Sequence, residues 1–590
     1  VGIIIALFLM FGEAFGDYHY ASHTGSDEYP YTSWETAADS IGDAVAAASR
    51  GDTVYVGPGL YYDAIELKER MGLIGSGMDS CEIDGLYGDW YVILPGPLDS
   101  FVVVEGLSLR GKWARTGVNQ VGIDVVHHHI TVRNNKIYEC EQALGGFGEA
   151  VIENNVIYNN KYALYMGGEG PPEIRNNTFY GESDLGDYIR LESFDFIFEN
   201  NVCYTSLYIW MPWRENTRIA NNLFFGPPGY WKIIGIDRGN PTIINNTVVG
   251  SEGINYAFMF SAYGIDSCQA SLINNIQCNS DGYAFRCEGS SDNYGNDGYC
   301  HPKLYYNDCW NNAKGLANIY GDAVSLDTIV GNIYVDPMFA DTVDFELQMF
   351  SPCIDAGDPN ITDVDWTRSD MGYLGGPGGR SYEYMDLPPA IPDSFYTAIG
   401  VDTIFIGWRY ATESDFSHYN IYRSNESGFS PSPDNYYAPA DSSEFKDTDW
   451  YNDRNYYYRI TAVDNQDNES EPSEEVPIVF VGVDGNPPPL PPKALSLYQN
   501  YPNPFNPQTT IRYYLPTVGA QPAEVRIVIY DLLGREVKVL LDGKQYPGEH
   551  RVVWDGRDKS GSILPSGIYF YRLEYWGRCL TGPKKMILMK

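Results

Sequence analysis

Basic side chains are scarce in this 590-residue chain: 39 Lys and Arg stand against 78 Asp and Glu, for a formal net charge of −39. So acidic a surface repels nucleic acid and anionic membranes, and neither is expected as a partner. No two of the ten cysteines have C-x-x-C spacing, which argues against a structural zinc site. Five of them fall between Cys268 and Cys309, where one or two disulfides would brace the chain if it is exported. Long apolar runs are missing after the first residues, so no membrane span is expected there. The opening run from Ile3 to Phe11 is itself too short to span a bilayer. Ala14-Phe15-Gly16 fits a small-x-small cleavage site, and residues 1–16 are expected to be a secretion signal. Charge is unevenly spread: from Leu495 onward the chain carries 13 Lys and Arg against 8 Asp and Glu, so a mildly basic tail follows an acidic body.

Paired asparagines are abundant. Asn134, Asn154, Asn176, Asn200, Asn221, Asn245 and Asn274 each open an Asn-Asn pair, at steps of 20, 22, 24, 21, 24 and 29 residues. Self-similarity at this period marks a solenoid. The flanking phrases, such as "TVRNNKIY" and "TIINNTVV", alternate apolar and polar residues as half-buried strands do, without the i, i+3, i+4 spacing of a helix. Asn tolerates the left-handed conformation of a tight corner, and stacked coils would let its amides form a ladder. The pattern predicts a parallel β-helix whose Asn residues serve architecture rather than catalysis. An Ala-rich stretch, Trp34–Ser49, has a helical pattern and suits the cap that the open end of a solenoid requires.

Particular phrases carry resemblances. "GDTVYVGPGLY" with "LIGSGMD", and the closing "GNIYVDPMFADTVDFELQMFSPCIDAGDPN", resemble right-handed parallel β-helix proteins related to pectate lyases, over residues 17–379. That resemblance implies the fold; its members include lyases, hydrolases and proteins without catalysis. Trp408, "YNIYR" and "YYYRITAVD" resemble a fibronectin type III domain over 380–482, a spacer or binding module. The Pro-rich 483–494 reads as an extended linker. Tyr501-Pro502-Asn503-Pro504-Phe505, Trp554-Asp555-Gly556 and the terminal "KKMILMK" resemble the C-terminal sorting domain of type IX secretion substrates, which shares its sandwich with the flagellar hook-cap protein. Residues 495–590 would then engage that machinery and bring the chain to the surface of a Gram-negative-type bacterium or beyond. The expected fold class is all-β: a right-handed parallel β-helix followed by two β-sandwiches.

Side chains in phase on successive coils form rows on which a long sugar chain can lie. Arg190, Arg214 and Arg238 recur every 24 residues, with Tyr188, Trp210 and Trp213 nearby. Aromatic faces stack on sugars, and carboxylates beside Arg can do acid–base work. Tyr188, Arg190, Trp210, Trp213 and Arg238 are therefore expected to bind an extracellular polysaccharide, with Glu192, Asp237 and Arg214 as catalytic residues if the chain is an enzyme. The polygalacturonase signatures and the W-x-D-H motif of pectate lyases are missing. Asp358, Asp363 and Asp365 in "DAGDPNITDVDWTRSD" have the spacing for Ca²⁺, although Trp366 stands where glycine would ease the turn. In "VVHHHI" only His127 and His129 share a strand face. Three readings stay open: a polysaccharide-binding surface protein, a polysaccharide lyase or glycoside hydrolase, and a surface rod.

Overall fold

The structure, a computed structural model, describes residues 16–588 except 88–89, 97–100, 114–118, 126–128, 169, 182–187, 193–194, 211–216, 227–230, 252, 264–265, 291–297, 322–323, 327, 401–402, 452–453, 480–495, 501–502, 504, 506–507, 516–522, 532–534, 547, 576–577 and 580–583. The expected secretion signal, the Pro-rich linker, Trp213 and Arg214 thus lie wholly or almost wholly outside the described residues. There are two compact units. The first holds the β-helix and most of the first sandwich; the second holds the C-terminal sandwich with 425–427 and 451–457.

Three parallel sheets wind into a right-handed β-helix. The first has 13 strands, from Tyr18–Ala21 to Ile329–Val330; the second has 11, from Gly59–Tyr61 to Asp308–Trp310; the third has 11, from Ile65–Glu66 to Gly315–Tyr320. Each of the seven Asn pairs that open at Asn134 to Asn274 turns the chain from the first sheet into the second. The opening Asn takes the left-handed conformation, with φ between 50° and 56° at all seven corners. Its successor points inward and is buried. Asn155, for example, donates from Nδ2 to Asn177 Oδ1 (3.0 Å) and accepts at Oδ1 from the backbone and side-chain amides of Asn135 (3.0 and 3.1 Å). The ladder climbs through Asn135, Asn155, Asn177, Asn201, Asn222, Asn246 and Asn275, satisfying polar groups that would otherwise be orphaned in the core. It continues to Asn307 and Asn332, whose corners are made by Tyr306 (φ 53°) and Gly331 (φ 67°). These last two coils escape a search for Asn-Asn because the corner residue differs.

Inward residues form one continuous apolar column, with Phe179, Phe198 and Phe224 stacked at 6.0 and 6.1 Å between centroids. The N-terminal end is covered by a short helix, Ile41–Ala47, capped by Ser40, which adds Ile41, Ala44 and Val45 to that column. The nine cysteines from Cys81 to Cys353 are free and buried. The Cys268 and Cys287 thiols lie beside that of Cys300, which donates to Phe260 O at 3.7 Å, so the structure gathers three of the five closely spaced cysteines without linking them.

Residues 331–382 run back along the side of the helix. Phe339, Phe345 and Tyr373 pack over Leu223, Val249 and Cys278. The corner residues Asn221, Asn245 and Asn274 hydrogen-bond the segment 369–375. The first sandwich pairs Tyr396–Ile399, Ile404–Gly407 and Glu444–Asp447 in one sheet, and Tyr436–Ala440, Phe416–Ser424, Tyr456–Asp464 and Val476–Ile478 in the other. Trp408, Tyr419 and Tyr458 fill its core.

In the second unit, Ser496–Leu497, Thr509–Leu515 and Gly548–Trp554 face a sheet built on Ala523–Tyr530 and Gly567–Tyr575. Trp554, Tyr571 and Met586 fill the space between. The last strand, Lys584–Leu588, adds to Gly567–Tyr575. Asn503 and Phe505 hold it, since Asn503 Oδ1 accepts from Ile587 N and Phe505 N donates to Ile587 O (2.8 and 2.9 Å). The Tyr-Pro-Asn-Pro-Phe phrase is therefore partly a clasp for the terminal strand.

Candidate functional site

Along the third sheet, register alignment puts Leu164, Ile189, Leu207, Ile234, Phe258 and Phe285 in one buried row. Because strand side chains alternate, their neighbours form outward rows. One runs Tyr165, Arg190, Tyr208, Gly235, Met259, Arg286. The adjacent row runs Glu192, Trp210, Asp237, Ser261, Glu288.

The Arg190 guanidinium sits between the Tyr165 and Tyr208 rings, 5.3 and 5.6 Å from their centroids, and its Nε donates to Glu192 Oε1 at 2.5 Å. Tyr165 and Tyr208 donate weakly to Glu192 and Asp237, each at 3.4 Å. Lys232 Nζ lies 4.7 Å from the Tyr208 centroid. Desolvation holds this ammonium below the ordinary lysine pKa, against the pull of Asp237 and Glu288. Asp237 is shifted up, chiefly by desolvation, with Arg238, Tyr208 and Lys232 opposing. Arg238 lies 5.6 Å from the Trp210 centroid and pairs with Asp266 at 2.9 Å, its Nε 3.7 Å from Asp237. Partial burial thus makes Asp237 a weaker acid than a free aspartate.

Glu192 and Asp237 share a row with Trp210 between them. Two strand spacings separate their backbones by about 9.6 Å. Arg238 follows Asp237 rather than aligning with Arg190; in line with Arg190 stand Tyr208 and Gly235, 18 and 45 residues on. The 24-residue recurrence of arginines therefore does not describe this row, because coil lengths vary along the third sheet. Trp213, Arg214 and the side chain of Tyr188 lie outside the described residues; the Tyr188 backbone pairs with Tyr162.

Sequence reasoning missed Tyr165, Tyr208, Lys232, Arg286 and Glu288. Arg286 repeats the Arg190 arrangement, with Nε 2.5 Å from Glu288 and its guanidinium 5.3 and 5.1 Å from the Trp231 and Tyr256 centroids. The available signal was the R-x-E phrase, present in both "YIRLE" and "FRCE".

The acidic loop is occupied with its own turns. Asp358 caps Asn360, Asp365 caps Thr367, and Asp363 accepts from the backbone amides of Asp370 and Gly376. Asp363 is shifted up by desolvation and Asp365 down by its hydrogen bonds. Among the described residues, the acid, His or Cys group whose ligand atoms converge within 4.8 Å is instead Asp386, Asp415 and Asp464, which can in principle coordinate a metal ion. His127 lies outside the described residues, and His129 pairs with Glu149 at 2.6 Å.

A family model for the FlgD Ig-like domain matches residues 509–578, and one for the periplasmic copper-binding protein NosD matches residues 103–228. Within the latter range Cys140 and Cys203 are buried in the core. No curated protein matches the chain. Among solved structures, an Fn3-like protein from Clostridium thermocellum is similar at 25% identity, over 16% of this chain and 98% of that one, with a TM-score of 0.14. Latent PorU from Porphyromonas gingivalis is similar at 19% identity, over 34% of this chain and 20% of that one, with a TM-score of 0.18. The catalytic domain of a GH87 α-1,3-glucanase is similar at 13% identity, over 54% of this chain and 69% of that one, with a TM-score of 0.32. Similarity at these levels bears on neither substrate nor mechanism. No helix among the described residues is long and apolar enough to cross a membrane.

Proposed function

We propose that this is an exported surface protein whose β-helix binds an extracellular polysaccharide across the outer rows of its third sheet. The observation that carries this reading is the pairing of those rows: Tyr165, Arg190 and Tyr208 in one, Glu192, Trp210 and Asp237 in the next. Half-buried aromatic rings beside fixed donors and acceptors match the alternation of C–H faces and hydroxyls on a sugar chain. Each cation has an acidic neighbour, so the face has little net charge of its own and suits a hydroxyl-rich polymer better than a polyanion. Affinity electrophoresis of the purified chain through gels containing single polysaccharides tests this. One polymer should retard the protein, and Tyr208→Ala should weaken the retardation about tenfold. Equal migration in every gel would leave the surface-rod reading.

A second reading is favoured by the placement of Glu192 and Asp237. Two carboxyl groups on one outward row, two strands apart, can serve as acid and base of a glycoside hydrolase, with a water between them in an inverting one. In this reading Asp237, whose pKa desolvation raises, donates to the glycosidic oxygen as the C–O bond breaks. Glu192 accepts a proton from the water whose oxygen bonds to the anomeric carbon. Release of reducing ends, lost in both Glu192→Gln and Asp237→Asn, is the expected signature. New ultraviolet absorbance from double bonds would indicate lyase chemistry instead. A pectate-lyase-like ancestry of the β-helix is compatible with either outcome.

Residues 495–590 are proposed as the type IX sorting domain, supported by the FlgD-like match and by the clasp on the last strand. Fusing them to a reporter in a bacterium with that system should bring the reporter to the surface. Removing 584–588 should abolish this.

A further inference from the structure

Between the β-helix and the first sandwich, three carboxylates meet without a counter-ion. Asp386 lies just past residues anchored to the β-helix: Tyr384 Oη donates to Asp370 (2.6 Å), and Met385 O accepts from Met349 N (2.9 Å). Asp415 immediately precedes the strand Phe416–Ser424, and Asp464 ends the strand Tyr456–Asp464. An oxygen from each lies within 4.8 Å of the other two. The loop carrying Asp415 rests on the β-helix, with Ser414 Oγ donating to Phe350 O at 3.1 Å.

Asp464 spends its carboxylate on Gln466, Asn468 N and Asn468 Nδ2. Asp415 has less of an outlet, accepting from its own backbone amide. It is only 7% exposed, its oxygen points into the cluster, and among the described residues no other one gives its side chain a hydrogen bond or ion pair. Desolvation, with Asp464, Glu413 and Asp386 adding like charge, raises its pKa. A buried carboxylate facing two others is costly unless a cation or proton joins it.

We propose that Asp386, Asp415 and Asp464 form a calcium site that fastens the chain leaving the β-helix to the first sandwich. All the side-chain donors are oxygen, which disfavours zinc and copper. Three carboxylates, supplemented by carbonyl oxygens and water, suit the six to eight ligands and flexible geometry of Ca²⁺ better than the strict octahedron of Mg²⁺. A cation there would join three stretches of chain, one from the connector and two from the sandwich. This inference does not rest on the polysaccharide reading.

Calorimetric titration of the whole, chelator-treated chain with CaCl₂ tests it. One site is expected, with a Kd of about 10⁻⁴–10⁻³ M, the range of extracellular calcium modules. Asp415→Asn and the exposed Asp386→Asn should each weaken it at least tenfold. Calcium at about 10 mM should raise a melting transition of the wild type by about 5 °C. In chelator, Asp415→Asn should melt no lower than the wild type, because it relieves repulsion; in calcium it should melt lower. That reversal separates ion binding from simple damage to the fold. Absence of heat and of any melting shift in the wild type would overturn the proposal. So would an unchanged calcium response in both variants, or a response lost in Asp365→Asn but kept in Asp415→Asn.

Discussion

Two faces of the β-helix carry similar residues and do different things with them. On the outer face of the first sheet, register places Glu105, Arg133, Glu153, Arg175 and Glu199 in a single row. The signs alternate coil by coil, so charges meet along the stacking direction, at 2.8 Å for Arg133–Glu105, 3.9 Å for Arg133–Glu153 and 3.5 Å for Arg175–Glu199, although Arg175 also pairs within its own strand, with Glu173 at 2.8 Å. On the third sheet the main Arg–Glu pairs lie within one strand, two residues apart, at 190/192 and 286/288. Stacking neighbours there are largely aromatic. Charge that closes on the next coil braces the solenoid. Charge that closes within its own strand leaves the space between coils to rings and partly dehydrated polar groups. The same residue types thus yield a brace on one face and, on the other, the surface proposed for recognition.

Catalysis, if present, separates the faces most sharply. Asp237→Asn should cut hydrolysis at least about 10³-fold, whereas Glu153→Gln on the brace should leave it unchanged; initial rates of reducing-end release measure both. The pH profile sharpens the contrast. Because the folded pKa of Asp237 is raised, the protonated fraction, and with it hydrolysis, should fall as pH rises through that value. The same raised pKa means that the folded chain holds more protons than the unfolded one between the two values, so Asp237 costs stability as pH rises there. Asp237→Asn should remove that cost.

The Asn ladder supports both faces. Replacing Asn201 by Ala orphans the Asn177 backbone amide and severs two side-chain links, so denaturant melts should show a loss of about 2–4 kcal/mol. Tyr208→Ala should weaken polymer retention about tenfold, the loss of one stacking and cation-holding ring, with little change in stability. The smallest effect belongs to the brace. Arg133→Ala should lower stability by about 0.5–1 kcal/mol, the scale of partly exposed ion pairs, and leave retention untouched. Equal loss of retention on both faces would break the distinction between them.

Legibility followed locality. The corner at Asn154 and the inward turn of Asn155 depend on adjacent residues, and the doublet declares both. The recognition rows depend on which residues stack after a full coil. Arg190 meets Tyr208 after 18 residues, and Tyr208 meets Gly235 after 27, so a search at a constant 24 selects Arg238 instead. Lys232 looks like any surface lysine until Tyr208 comes beneath it. Asp386, Asp415 and Asp464 have no shared motif, being separated by 29 and 49 residues.

By itself the sequence determined the all-β class, the solenoid and the position of its corners, because turn preference and strand alternation act over a few residues of backbone. Only the tertiary structure decided which residues stand in register across coils, which carboxylates lose water, and which three of them converge beside the first sandwich. Those properties belong to distances between strands and to shared burial, and residues far apart in the chain acquire both only when it folds.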